Sequence, residues 1–358
     1  MKKICFLIGD INHSGGTERV TTLIANALSN HENYLIHILS LSGGNTPFFQ
    51  QESQVINSHL FDFKVSMKRN FLHAIARIRS YLISNHIDTL VVVDSISCMF
   101  TVPACIGLNI KHICWEHFNF NVNLGVKYRN IGRKWAAKHC DYVVTLTKRD
   151  KELWEQSLKK RNAKIVAIAN PTPYENIKHT PSLGYKSFLA LGRLNYQKGF
   201  DLLIEAWAQA CEQNNDWTLR IVGSGEDEKA LKDQAQHLGV ADRIDFVPAT
   251  KNIEKYYKTS SFYCMSSRFE GLPMVLLEAQ SFGLPLVAFD CDTGPSDIIE
   301  NEMNGYLVEP LNVQELSNIL VSVCSIPLDD YKKMVYLSKV NSEKFYLEKI
   351  LNDWLEII

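Results

Sequence analysis

Short, β-branched apolar runs alternate with longer helical patterns along the whole chain, and they do so in two separate series. KICFLI (3–8), YLIHILSLS (34–42), TLVVVD (89–94), HICW (112–115), DYVVTLT (141–147) and KIVAIA (164–169) make up the first. SFLALGR (187–193), TLRIVG (218–223), RIDFVP (243–248), FYCMS (262–266), LPLVAF (284–289) and GYLV (305–308) make up the second. Helical patterns such as 17–29, 198–212, 226–238 and 273–282 stand between them. Strands separated by crossover helices lie parallel, and a parallel sheet is covered on both faces. Two series therefore predict an α/β chain of two doubly wound, Rossmann-like domains. The boundary falls in NPTPYENIKHTPSLGYK (170–186), which has three prolines and no apolar period. This gives domains of 1–170 and 171–344, followed by a terminal helical pattern ending LNDWLEII.

The 358 residues are 46% hydrophobic and 22% charged, an ordinary globular composition with ample material for two cores. Between Thr89 and Ile110 only Asp94 is charged. Asp94, Ser95, Ser97, Pro103 and Gly107 interrupt that stretch, so it reads as strand, loop and buried helix rather than a membrane span. Met-Lys-Lys precedes only six uncharged residues, too few for a secretory leader, and a cytoplasmic protein is expected. The nine cysteines are odd in number and contain no CxxC. They read as small buried hydrophobes, not as a disulfide framework or a zinc site.

The net charge of −1 hides an asymmetry: residues 1–170 carry 21 Lys and Arg against 12 Asp and Glu, the remainder 17 against 27. Basic residues cluster at 64–82, 127–139 and 148–161. In the first cluster Phe71, Leu72, Ile75, Ile78 and Leu82 recur at helical spacing, with Arg77 and Arg79 off that face. Such a helix packs on its own domain or lies against an anionic membrane surface. Nucleic acid is not expected as a partner, because no binding motif accompanies the basic runs.

Three stretches have the form of ligand-binding turns. GDINHSGGTERV (9–20) places Gly15 and Gly16 before a helix, where backbone approaches a ligand closely and free N–H groups favour an anion. It also fits a tight turn without a ligand. It matches neither GxGxxG nor a P-loop. LGRLNYQKGFD (191–201) puts Arg193 at a strand end and Lys198 five residues on, near a helix start, two cations suited to a diphosphate. VGSGEDEKALK (222–232) repeats the form with acidic residues, which favour a helix N-terminus over a phosphate. In RFEGLPMVLLEA (268–279), Glu270 falls in a loop and Glu278 more than a turn into a helix beginning near Pro273. A mid-helix glutamate faces either a ligand's hydroxyls or a partner cation.

Gly15-Gly16-Thr17-Glu18, GRLNYQKGFD and Glu270-x7-Glu278, in that order, resemble the retaining GT-B glycosyltransferases of family 4 (glycosyl transferases group 1). The resemblance is strong over 187–310 and sparser over 1–170. It implies two Rossmann-like domains facing across a cleft, with a C-terminal helix (about 345–358) returning to the first. A nucleotide-sugar donor would be held mainly by the second domain, with Glu278 on the ribose hydroxyls. Glu270, with Gly271 and Leu272 beside it, would serve the transferred sugar. Arg193 and Lys198 would neutralise the diphosphate, Gly15 and Gly16 would offer backbone, and the Thr250 segment would meet the base. His117 in WEHFNF (115–120) is similar to the family's sugar-contacting histidine.

The resemblance implies a hexose or N-acetylhexosamine passed from a UDP-sugar to a hydroxyl of a cell-surface glycan intermediate, an O-antigen, capsule or lipopolysaccharide core. The basic first half suits a lipid-linked or lipopolysaccharide acceptor and a peripheral position on the inner face of the cytoplasmic membrane. No cofactor or metal is expected. LVAFDCDTG (286–294) contains an Asp290-x-Asp292 pair that could hold Mn²⁺ or Mg²⁺, but it follows a complete βαβ series and leads into a turn. Rival functions are a UDP-sugar epimerase on the same architecture and a non-catalytic nucleotide-sugar-binding partner subunit. An NAD-dependent oxidoreductase is a more distant rival, since the GxGxxG turn is absent.

Overall fold

A computed structural model describes every residue except 45, 67, 68, 214 and 215. The chain forms two compact units, one of Met1–Pro171 with Leu347–Ile358 and one of Thr172–Tyr346. The first holds strands β1 (Lys2–Ile8), β2 (Tyr34–Ser42), β3 (Ile56–Phe61), β4 (Thr89–Val93), β5 (Lys111–Trp115), β6 (Tyr142–Thr145) and β7 (Lys164–Ala167). Their order is β3-β2-β1-β4-β5-β6-β7, all parallel. The second holds β8 (Ser187–Leu191), β9 (Thr218–Val222), β10 (Ile244–Val247), β11 (Phe262–Met265), β12 (Leu286–Phe289) and β13 (Gly305–Val308). Their order is β10-β9-β8-β11-β12-β13, again all parallel.

Strand order reverses between β1 and β4 in one sheet and between β8 and β11 in the other. Loops leaving the carboxyl ends of such neighbours diverge to opposite faces, opening a crevice where ligands bind. The loops that follow β8 and β11 contain Lys198 and Glu270.

Each domain has its own core. In the first, Trp115 and Trp154 are wholly buried, and helix Leu347–Leu355 returns to set Trp354 edge-on against Trp115 at 4.8 Å. In the second, Phe188 of β8 stacks on Phe262 of β11 at 5.7 Å and meets Trp207 and Trp217. Strand β4 is followed by a 3₁₀ turn, Ser95–Ser97, and the buried helix Cys98–Cys105. No helix among the described residues is long and apolar enough to cross a membrane.

Helix Phe71–Ser84 departs from its sequence reading in one respect: Leu72 is 77% exposed, while Ala74, Ile78 and Leu82 form the buried stripe. Its arginines are committed to the domain itself. Arg77 donates to the Leu60 carbonyl and lies over the Phe61 ring, and Arg79 donates to the carbonyls of Ala104 and Ile106. The helix packs on its own domain and presents no free row of arginines.

Candidate donor and acceptor sites

The turn after β8 is built to carry Lys198. Asn195 accepts the Lys198 amide through its side chain, and Gly199 then takes φ +62, the left-handed region glycine tolerates best. A Cβ at Gly199 would stand 2.1 Å from the Ser266 carbonyl oxygen. Ser266 Oγ donates to the Lys198 carbonyl at 3.0 Å, the Arg268 amide donates to the Gln197 carbonyl at 2.8 Å, and Gln197 Nε2 donates to the Phe269 carbonyl at 3.1 Å. Arg268 clamps the same two loops: it forks onto both oxygens of Asp201, at 2.8 and 2.6 Å, and stacks over Tyr196 at 4.2 Å.

This lacing brings Lys198 Nζ to 2.6 Å from Glu270 Oε1, which also accepts from Ser267 Oγ at 2.7 Å. Glu270 is 8% exposed. From the other side, Thr293 Oγ1 donates to the Glu270 carbonyl at 2.7 Å, and a Cβ at Gly294 (φ +104) would strike Pro273 and Gly271. The turn that suggested a metal-binding pair thus buttresses the Glu270–Gly271–Leu272 loop.

Glu278 lies in helix Met274–Ser281, buried, with Oε2 accepting from Tyr257 Oη at 2.8 Å. Burial and that carboxylate push the Tyr257 phenol well above its usual range, so Tyr257 is a fixed donor. Arg193 does not share the Lys198–Glu270 contact. Its side chain is 72% exposed and pairs with Glu226 at 3.5 Å, although Gly192 beside it lies against the Lys198 stem. The acidic glycine turn supports this loop: Cβ atoms at Gly223 and Gly225 would collide with the carbonyls of Gly192 and Leu194. Thr250 is exposed after β10, and its hydroxyl accepts the Asn252 amide.

In the first domain, Gly15 caps helix Gly16–Ser29 with no side-chain cap bond. Glu18 folds back over this end, its carboxylate 2.3 Å from where a Gly15 Cβ would be. Burial raises its pKa, while the backbone amides of Glu18 and Gly15 oppose the rise. The chain's own carboxylate therefore sits at the helix start proposed for an anion.

His117, just past β5, is buried, with its ring 4.5 Å from Trp115 and its Nε2 lacking any hydrogen-bond partner. Burial lowers its pKa to about 3, so the imidazole is neutral. Other buried polar atoms of this domain, the adjacent Trp115 Nε1 among them, also lack a partner, so the ring nitrogen is available to a ligand hydroxyl but does not by itself mark one.

Sequence reasoning missed the frame that holds this loop. Glu116 Oε1 accepts the amides of His117 and Phe118, both at 3.1 Å, while Oε2 accepts from Ser95 Oγ at 2.5 Å and Arg133 Nε at 3.1 Å. The remaining Arg133 nitrogens donate to the carbonyls of Asn119, Phe120 and Val122. Arg129 pairs with Asp94 at 2.5 Å, and Asp94 itself sits at φ +77. Arg129 and Arg133 belong to a run that reads as basic surface, yet they are 6% and 1% exposed. The available signal was helical spacing alone: 129, 133 and 136 share one face.

The fold and the laced switch-point loops define a GT-B glycosyltransferase. Residues 174–339 match the family described as glycosyl transferases group 1, and residues 14–175 match glycosyltransferase family 4. The chain belongs to this family. Over all 358 residues, and the full length of the relative, it is 38% identical to an uncharacterized glycosyltransferase of Haemophilus influenzae. It is 29% identical, again over the whole of both chains, to the amylovoran biosynthesis glycosyltransferase AmsD of Erwinia amylovora. A Campylobacter jejuni α-1,4-N-acetyl-D-galactosaminyltransferase, named for a PP-undecaprenol-linked substrate, is 27% identical over 100% of this chain and 98% of its own. Among solved structures, the lipopolysaccharide outer core galactosyltransferase WaaB superposes with a TM-score of 0.80 at 22% identity, covering 99% of this chain and 98% of that one. Anabaena HepE in complex with UDP-glucose gives 0.80 at 19%, covering 99% of each.

Proposed function

We propose that the protein is a retaining glycosyltransferase that moves a hexose or N-acetylhexosamine from a UDP-sugar to a hydroxyl of a lipid-linked or lipopolysaccharide glycan intermediate. The observation that carries this reading is the Lys198–Glu270 pair at the β8/β11 switch point. The names of the AmsD, Campylobacter and WaaB relatives support a surface-glycan acceptor, and the HepE complex supports UDP.

Departure of a nucleoside diphosphate builds negative charge on phosphate oxygens and positive charge on the sugar. Fixed cations at the phosphate stabilise that transition state more than the ground state. Lys198 supplies the fixed charge, and the exposed Arg193 would leave Glu226 to join it. Glu270 receives hydroxyls of the transferred sugar, with Gly271 and Leu272 lining the turn. Glu278 takes the ribose, backed by Tyr257, and the Thr250 segment meets the base through its main chain. Gly15 and Gly16 offer backbone, and neutral His117 binds a sugar hydroxyl through Nε2. Glu270 is held by Lys198 and Ser267, which lowers its nucleophilicity, and Glu278 is engaged by Tyr257. This favours same-face attack, with the leaving phosphate accepting the acceptor's proton, over a double displacement through a carboxylate.

Cations available to an anionic membrane surface include Lys127, Lys134 and Lys138, exposed along one side of helix Lys127–His139, and the exposed Lys148, Lys159 and Lys160. Binding to anionic liposomes in a flotation assay supports that placement, and no flotation removes it.

The experiment is a transfer assay with UDP-, GDP- and ADP-sugars, with the anomeric configuration of the product read by proton NMR. UDP-sugar consumption with retention, insensitive to EDTA, is expected. Inversion, or conversion of the donor without acceptor, contradicts the reading.

A further inference from the structure

One buried cluster of ligating side chains lies outside both candidate sites. His112 and Cys114 stand two residues apart on β5 and so face the same side of the sheet. Cys98 opens helix Cys98–Cys105, and Cys140 follows helix Lys127–His139; these two helices pack on one another. The Sγ atoms of Cys98 and Cys140 and a ring nitrogen of His112 all lie within 4.8 Å of one another. This is the single group of three such ligands among the described residues. None of the three is more than 3% exposed, and Cys114 beside them is wholly buried. Thr101 Oγ1 at 3.0 Å from His112 Nε2 fixes the ring, and Asp141 accepts the His112 amide at 2.7 Å.

We propose that Cys98, His112 and Cys140 form a structural site for a thiophilic divalent cation, Zn²⁺, with the Cys114 sulfur beside the fourth coordination position. Soft thiolates and an imidazole select zinc over Mg²⁺ or Ca²⁺, which take oxygen ligands. Tetrahedral zinc with bonds of about 2.0–2.3 Å sets its ligand atoms about 3.5–3.8 Å apart. The ligand atoms, all within 4.8 Å of one another, close by up to about 1 Å to reach that spacing. Binding expels the protons of two thiols to solvent, so the cation and two thiolates leave no net charge in the core, as a wholly buried site requires. The spacing Cys98-x13-His112-x-Cys114-x25-Cys140 matches no linear zinc motif, because sheet topology rather than a knuckle assembles the ligands. A site this deep loads as the chain folds and then resists chelators.

The test is the metal content of the full-length protein expressed with added Zn²⁺, dialysed against EDTA and measured by plasma mass spectrometry. About one zinc per chain is expected in wild type and in Cys264→Ser, a buried thiol of the other domain. A fall of roughly tenfold or more is expected in Cys98→Ser and Cys140→Ser. Zinc-free wild type, or unchanged content in both variants, overturns the proposal. As a check independent of variant folding, wild type is refolded from urea with Co²⁺. A thiolate-to-cobalt charge-transfer band supports the site, and its absence contradicts it.

Discussion

Lys198 Nζ lies 2.6 Å from Glu270 Oε1, joining two loops that leave neighbouring strands at the point where the second sheet reverses its order. The two residues are 72 apart in sequence, and only the lacing of 195–201 to 266–270 brings them together. Lys198→Met removes the fixed cation and leaves a buried carboxylate uncompensated. We expect kcat to fall about 10²–10³-fold and stability by about 1–3 kcal/mol. Glu270→Gln keeps an oxygen for Lys198 and Ser267, so it should cost under about 1 kcal/mol while still depressing transfer. Urea denaturation and initial rates separate the two effects; near-normal rates in both variants would remove the pair from the site.

Gly199 is the residue the lacing can least spare. Alanine there must adopt φ +62 and displace the Ser266 carbonyl, which would stand 2.1 Å from its Cβ. Gly199→Ala should destabilise by about 2–4 kcal/mol. Gly239→Ala, with φ +70 but open space around it, should cost only about 1–2 kcal/mol. Equal midpoints in the two denaturation curves would show that the loop contact is slack.

Arg133 holds the His117 loop through Glu116 and three carbonyls. Arg133→Met leaves Glu116 only Arg129, at 3.6 Å, as a cation and unpairs three carbonyls, and should cost about 3–5 kcal/mol. Arg133→Lys should recover little, because a point charge cannot span one carboxylate and three carbonyls. Nucleotide binding by the second domain should survive both changes; full stability of the lysine variant would sink this account.

Asp150 accepts the Phe120 amide at 2.8 Å, and burial raises its pKa to about 7. Between the ordinary value of 3.8 and about 7 the native state holds a proton that the unfolded chain has lost. Stability from this group is therefore present at acid pH and declines as pH rises through that window. Asp150→Asn keeps the acceptor oxygen and abolishes the decline. Its melting temperature relative to wild type should rise from pH 5 to pH 8; a constant difference would contradict the shift.

The alternation of apolar runs with helical patterns revealed two parallel sheets because buried parallel strands are continuous and β-branched. Strand β3 escaped: INSHLF lies at the sheet edge, where Asn57, Ser58 and His59 are tolerated, so it carries no apolar run. Glu270 and Lys198 were legible because glycines mark the turns that hold them. Glu116, Arg133, Asp201 and Arg268 were not, because their partners lie on other elements and charge in a sequence reads as surface. For the same reason Arg129 and Arg133 counted toward a basic face they do not form. Leu72 shows the complementary error, an apolar residue assigned inward by its spacing and found 77% exposed.

The two-carboxylate stretch and its lysine are proposed to form a nucleotide-sugar donor site. Calorimetric titration of wild type, Lys198→Ala and Glu278→Ala with UDP, GDP and ADP tests it most directly. Selective binding of UDP by wild type is expected, with affinity reduced about tenfold or more in each variant. Binding of UDP with equal affinity by all three proteins, or preference for GDP or ADP, would contradict it.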